Sequence, residues 1–251
     1  MPSPEIVTAA VLVIGDEILS GRTKDKNIGY IAEYLTALGI DLREVRVVPD
    51  IEDEIVGAVN ALRSRYTYLF TTGGIGPTHD DITADCVAKA FGVPLNFHPE
   101  AVALMKERLA KTGGELNEAR MRMTRIPEGA KLVNNKVSGA PGFWIGNVIV
   151  MAGIPAVMQG MLDDVGPKLK GGTKLLSETI RADAKEGDVG TELGQIAKAY
   201  PDTIIGSYPF LDDKLGPNTN IVVRSRDPQK LAQAKIAVEE MLKGVKAKLA
   251  S

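Results

Sequence analysis

Between residues 6 and 92, apolar runs of strand length alternate three times with stripes of helical spacing, and few folds accommodate that order. Residues 6–14 (Ile-Val-Thr-Ala-Ala-Val-Leu-Val-Ile) are nearly all apolar and stop at Gly15-Asp16-Glu17. So short a run, ended by glycine and without polar alternation, predicts a strand buried on both faces. Residues 27–38 then place Ile28, Ile31, Leu35 and Leu38 on one helical stripe that Gly39 stops. A second strand over 42–48 closes at Pro49-Asp50, and a second helix over 53–65 carries Ile55, Val59 and Leu62. A third strand over 66–72 runs into Gly73-Gly74-Ile75-Gly76-Pro77, and a third helix, capped by Asp81 and Thr83, reaches Phe91 and Gly92. Three such units in succession require right-handed crossovers. The expected fold class is α/β, a three-layer, doubly wound and mostly parallel sheet.

The rest of the chain departs from that rhythm. Residues 100–112 and 117–125 read as two helices parted by Gly113-Gly114, a lobe beside the sheet. Residues 143–145 and 148–151 flank Gly146-Asn147, a two-residue hairpin signal, and a helix follows Gly153-Ile154-Pro155 over 156–162. The stretch from Pro167 to Gly171-Gly172 reads as a linker, dividing the chain into domains at 1–168 and 173–251. The second is a smaller α+β domain: strand 173–182, helix 189–200, strands 203–208 and 220–225, helix 229–249.

Composition narrows the function. Lys+Arg number 30 against 32 Asp+Glu, a formal net charge of -2, which argues against a broad nucleic-acid-binding face. The single cysteine, Cys86, excludes an internal disulfide and a cysteine zinc site, and reads as a packed thiol. No apolar run approaches the ~20 residues of a membrane span. The start Met1-Pro2-Ser3-Pro4-Glu5 lacks a signal peptide's basic and apolar regions, so the expected location is cytoplasmic.

In a parallel sheet, ligands bind outside the carboxyl ends of the strands. Here those ends all carry acid: Asp16 and Glu17 after the first strand, Asp50 after the second, Asp80 and Asp81 after the third. Each has a structural reading too: Asp50 or Asp81 can cap the following helix, and Asp16 and Glu17 can form a solvated loop. The glycine turn Gly73-Gly74-Ile75-Gly76, followed by Thr78, lets backbone N–H groups approach an anion. It has neither dinucleotide-fingerprint nor P-loop spacing. Carboxylates and phosphate repel unless a cation stands between them, and a Mg²⁺-like ion uses one or two carboxylates plus phosphate oxygens. The expected ligands are therefore an oxygen-bound divalent ion and a phosphorylated small molecule. Ser138 and Gly139, Gly142 and Gly153 sit in further loops able to reach the same edge. Lys24, Lys26 and Asn27 read as a solvated face or a cover over the ligand; His79 sits in the acidic loop, His98 at the surface, and Trp144 in the sheet.

Gly15-Asp16-Glu17-Ile18-Leu19-Ser20-Gly21, the run from Thr71 through Gly73-Gly74-Ile75-Gly76-Pro77-Thr78-His79-Asp80-Asp81-Ile82-Thr83, and Ala140-Pro141-Gly142-Phe143 together resemble the molybdopterin-binding (MoaB/Mog-like) domain. More closely they resemble the CinA N-terminal type, which is similar to the front half of eukaryotic FAD synthase. The likeness covers about residues 6–165, and the tail from Thr173 is similar to the small KH-like domain that follows in CinA proteins. The tail has no Gly-x-x-Gly loop, so the likeness does not imply RNA binding. The resemblance implies assembly as dimers or trimers. Its Mog branch binds molybdopterin in molybdenum cofactor synthesis, with functional aspartates that correspond to Asp50 and Asp81. Its CinA branch implies metal-dependent pyrophosphate cleavage of ADP-ribose- or FAD-like dinucleotides. The amidase domain of full CinA proteins does not follow before Ser251, so amidohydrolase chemistry is not expected. The favoured expectation is a pyrophosphatase in which Asp81 and Asp80 hold metal or water while Asp50 and Asp16 assist. The alternatives are a molybdopterin-binding protein, with or without adenylyl transfer, and a non-catalytic nucleotide sensor.

Overall fold

A computed structural model describes residues 5–214 and 216–249. The Met1–Pro4 start, on which the leader reading rests, and the outer ends of the two expected domains at residues 1 and 251 lie outside the described residues. The chain divides into two compact units that meet in sequence at Gly172 and Thr173.

The first unit opens with β1 (Val7–Ile14), a one-turn helix α1 (Asp16–Leu19), α2 (Ile28–Ala37), β2 (Ile40–Val48), α3 (Glu52–Arg65), β3 (Tyr68–Thr72) and α4 (Thr83–Phe91). Next come β4 (Leu95–Phe97), α5 (Pro99–Thr112), α6 (Glu118–Arg122), β5 (Arg125–Pro127) and β6 (Lys131–Val133). It closes with the hairpin β7 (Gly142–Ile145) and β8 (Val148–Met151), then α7 (Pro155–Val165). The sheet order is β2-β1-β3-β8-β7-β6. β2, β1, β3 and β8 run parallel; β7 is antiparallel to β8, and β6 to β7. This is the expected mostly parallel α/β sheet.

β1 shows why the sheet is covered on both faces. Successive side chains of a strand point to opposite faces. Ala10, Leu12 and Ile14 accordingly join a core with Ile55, Val59 and Leu62 of α3 and Cys86 and Val87 of α4. Val7, Ala9, Val11 and Val13 join a second core with Ile31 and Leu35 of α2 and Met158, Met161 and Leu162 of α7. A strand so nearly all apolar is what a three-layer arrangement demands.

Several local expectations are corrected. Asp16 and Glu17 begin a helical turn rather than an open loop. The helix expected over 117–125 ends at Arg122, because residues 125–127 pair as β5 with β4. β6 has no periodic signal and exists through its pairing with β7.

The second unit contains β9 (Leu176–Arg181), α8 (Glu186–Ala199), β10 (Ile204–Asp212), β11 (Gly216–Ser225) and α9 (Pro228–Leu249). Its separate antiparallel sheet has the order β10-β11-β9. Leu231, Ala234, Val238, Leu242 and Val245, spaced by three or four residues on α9, pack with Ile221 and Val223 of β11 and Val189 and Leu193 of α8.

Candidate functional site

The acidic loops converge because β1, β2 and β3 are parallel neighbours. The backbone makes that edge tight. Gly73 has φ +101, and a Cβ there would lie 2.1 Å from the Ile14 carbonyl oxygen. Gly74 has φ +64, and a Cβ there would meet Thr83 Oγ1 at 2.1 Å and Asp50 Oδ1 at 3.5 Å. A Cβ on Gly153 would come within 3.3 Å of the Gly73 Cα. The loops after β1, β3 and β8 therefore touch through backbone, which only glycine permits at such separations.

Asp81 and Thr83 shape the turn, and neither caps α4 as the sequence suggested. The Asp81 carboxylate accepts from Gly76 N at 2.6 Å, from Thr78 N at 2.8 Å and from Thr78 Oγ1 at 2.5 Å. Thr83 is fully buried; its hydroxyl donates to the Gly73 carbonyl at 3.0 Å and its N–H to the Gly74 carbonyl at 2.9 Å. The N-terminal position of α4 falls to Ile82, without a side-chain cap.

Asp50 is also no helix cap: Ile51 holds that place before α3. Its Oδ2 accepts from Asp16 N at 3.0 Å, joining the ends of β1 and β2. Burial pushes the Asp50 carboxyl above its ordinary range, opposed by the Asp16 hydrogen bond and reinforced by Asp16, Glu17 and Asp80. Those last three charges place Asp50 within one acidic cluster. Asp80 is exposed, with His79 Nδ1 at 4.0 Å, and the Thr78 hydroxyl holds its carboxyl below the usual value. Among the described residues, no three His, Cys, Asp or Glu side chains are grouped so as to hold a metal ion by themselves.

The remaining expected residues divide. Gly142 begins β7 opposite the carboxyl end of β8, where a Cβ would strike the Val150 carbonyl oxygen at 2.2 Å. Ser138 and Gly139 form a self-contained turn: Asn135 Oδ1 accepts from Ser138 N at 2.7 Å, and Gly139, at φ +77, packs on Arg108. Asn27 is buried rather than solvated; its Nδ2 donates to the Gly153 carbonyl at 2.8 Å while its Oδ1 has no partner among the described residues. Thr71 and Thr72, at the end of β3, also carry buried hydroxyls without partners among the described residues. Lys24, Lys26 and His79 are exposed, and Trp144 is half-buried in β7. His98 is half-buried with an unpartnered Nδ1, not a surface residue. Cys86 is buried, and desolvation pushes its thiol up to about 12, so it is no nucleophile.

Sequence reasoning missed Arg122, which enters a cleft beside Gly74, Gly76 and Asp81. The one available signal was weak: a short run with Arg120, Arg122 and Arg125, whose separate fates depend on tertiary pairing.

Residues 10–171 match the family described as probable molybdopterin binding domain, and residues 174–249 match the FAD synthase middle domain. A protein of Archaeoglobus fulgidus is 32% identical across 92% of this chain and 96% of its own length. A probable FAD synthase of Caenorhabditis elegans is 31% identical across 96% of this chain, which spans only 51% of that relative. The crystal structure of the protein CinA, of unknown function, from Thermoplasma acidophilum superimposes with TM-score 0.60 and 33% identity, covering 65% of this chain and 98% of that one. With its glycine turn, acidic sheet edge and second sheet-bearing unit, the chain belongs to the probable molybdopterin binding domain family, as a CinA-type MoaB/Mog-like protein that continues into an FAD synthase middle domain.

Proposed function

We propose that this protein is a divalent-metal-dependent nucleotide pyrophosphatase that cleaves ADP-ribose- or FAD-like dinucleotides. The observation that carries this reading is the juxtaposition of a glycine turn with Asp16, Asp50, Asp80 and Asp81 at one sheet edge. The relatives named probable FAD synthase support a nucleotide ligand.

The donor set suits a hard, oxygen-seeking ion. Asp50 and Asp80, with Asp16, would hold a Mg²⁺-like ion only in company with ligand phosphates, as expected where no three-ligand group stands ready. Such an ion, when bound, would neutralise the diphosphate and make the attacking water more acidic. Asp81 keeps the turn open through its three hydrogen bonds and adds charge beside it. The turn's backbone receives the phosphate oxygens. Hydrolysis adds water across the P–O–P bridge and releases two monophosphates.

The test incubates purified protein with ADP-ribose or FAD and Mg²⁺, Mn²⁺ or Co²⁺, with products resolved by chromatography. AMP should appear with ribose 5-phosphate or FMN, chelation should stop it, and Asp50→Asn or Asp81→Asn should slow it about 100-fold or more. The family description favours a second reading, molybdopterin binding in cofactor synthesis. No turnover together with tight molybdopterin binding would replace the first reading by the second.

A further inference from the structure

The cleft beside the glycine turn is lined by Gly74, Gly76 and Asp81 together with Arg122, Pro141 and Phe143. Two arginines reach it, and their circumstances differ. Arg125 is neutralised: its Nη1 and Nη2 donate to the two Asp85 oxygens at 2.8 and 2.7 Å. Arg122 forms no ion pair among the described residues. Its Nη2 reaches only the Asp81 main-chain carbonyl, at 3.5 Å, and its Nε is buried with no acceptor. The Asp81 carboxylate is turned to Gly76 and Thr78 instead.

A half-buried guanidinium without a counter-charge is costly unless something supplies one. α6 holds Arg122 in place: Asn117 caps that helix by accepting from Arg120 N, and the buried Thr124 hydroxyl donates to the Met121 carbonyl just beyond it. Gly74 and Ile75 line the same cleft, and their N–H groups meet no acceptor among the described residues. Unpartnered amides and a planar, fork-shaped cation lining one cleft suit a tetrahedral anion.

We propose that Arg122 is an anion subsite that receives a phosphate group of the ligand in the cleft it shares with the Gly74-Ile75-Gly76 turn. The inference rests on the reading of this edge as the site of a phosphorylated ligand. It adds a positive side chain without an ion-pair partner among the described residues to an otherwise acidic site, and so a second means of tolerating a diphosphate.

Isothermal titration of the full chain with inorganic pyrophosphate, with and without Mg²⁺, tests it. The unsubstituted protein should bind, Arg122→Gln should bind about 10- to 100-fold more weakly, and Arg122→Lys should recover part of the loss. Arg122→Gln is compared only with an unchanged melting temperature; otherwise Arg122→Lys, which keeps the charge but not the fork, must still lose affinity. Equal affinity in a folded Arg122→Gln protein, or no pyrophosphate binding by the unsubstituted chain, overturns the subsite. The hydrolysis assay separates the two claims. Turnover with an unchanged KM in Arg122→Gln removes the subsite and leaves the pyrophosphatase. Arg122-dependent binding without turnover keeps the subsite and removes the pyrophosphatase.

Discussion

Gly73 is hemmed in by the Ile14 carbonyl on one side and the Gly153 backbone on another, with its own φ at +101. Gly73→Ala should therefore destabilise the protein by about 2–4 kcal/mol, combining a disfavoured backbone with a clash that no rotamer relieves. Urea unfolding measures it, and a loss under about 1 kcal/mol would show that the turn can shift. Cys86 tests burial at the same site: with its thiol pushed up to about 12, it should resist a thiol reagent at pH 8 until the protein is unfolded. Rapid labelling of the native chain would contradict the packing described. The glycine turn and its acids were visible in sequence as residue types. Their partners were not: an aspartate two positions before a helix suits a cap and a turn equally. Asp81 became the organiser of the Gly76–Thr78 turn only once that turn folded back on it.

The β7–β8 hairpin was legible because Gly146-Asn147 between two apolar runs has few other uses. The structure adds a second role for Asn147, whose Nδ2 donates to the Arg63 and Tyr66 carbonyls at 2.8 and 3.0 Å, tying the hairpin to the end of α3. Asn147→Ala should cost about 1–3 kcal/mol by stranding those carbonyls. Thermal unfolding followed by circular dichroism checks it; an unchanged midpoint would mean that water replaces the amide. The strands that escaped the sequence are β4, β5 and β6, each three residues long. Three residues cannot establish a period, and their pairing partners lie well away along the chain.

Each unit has its own apolar core, and the second also carries a charged network. Asp183, a non-glycine residue at φ +51, meets Lys246 Nζ at 2.9 Å and Arg181 Nε at 2.6 Å. Lys246 and Arg181 lower its carboxyl to about 2. That folded value lies below the ordinary 3.8, so the stabilisation is fully present above about pH 4 and is lost as pH falls toward 2. Asp183→Asn keeps a side chain that tolerates positive φ and should flatten the fall in stability across that interval, read by denaturant melts at stepped pH. An unaltered acid slope would show that the network is screened by solvent. The mostly parallel sheet, its two covered faces and the α+β character of the tail were all present in hydrophobic periodicity, because burial is written locally at spacings of two and three or four residues; the strand order was not. The convergence of acids followed as well, since parallel strands send their ends to one edge. Which arginine is neutralised by Asp85 and which lines the cleft unpaired depend on contacts between residues some 40 positions apart, and no local pattern encodes those.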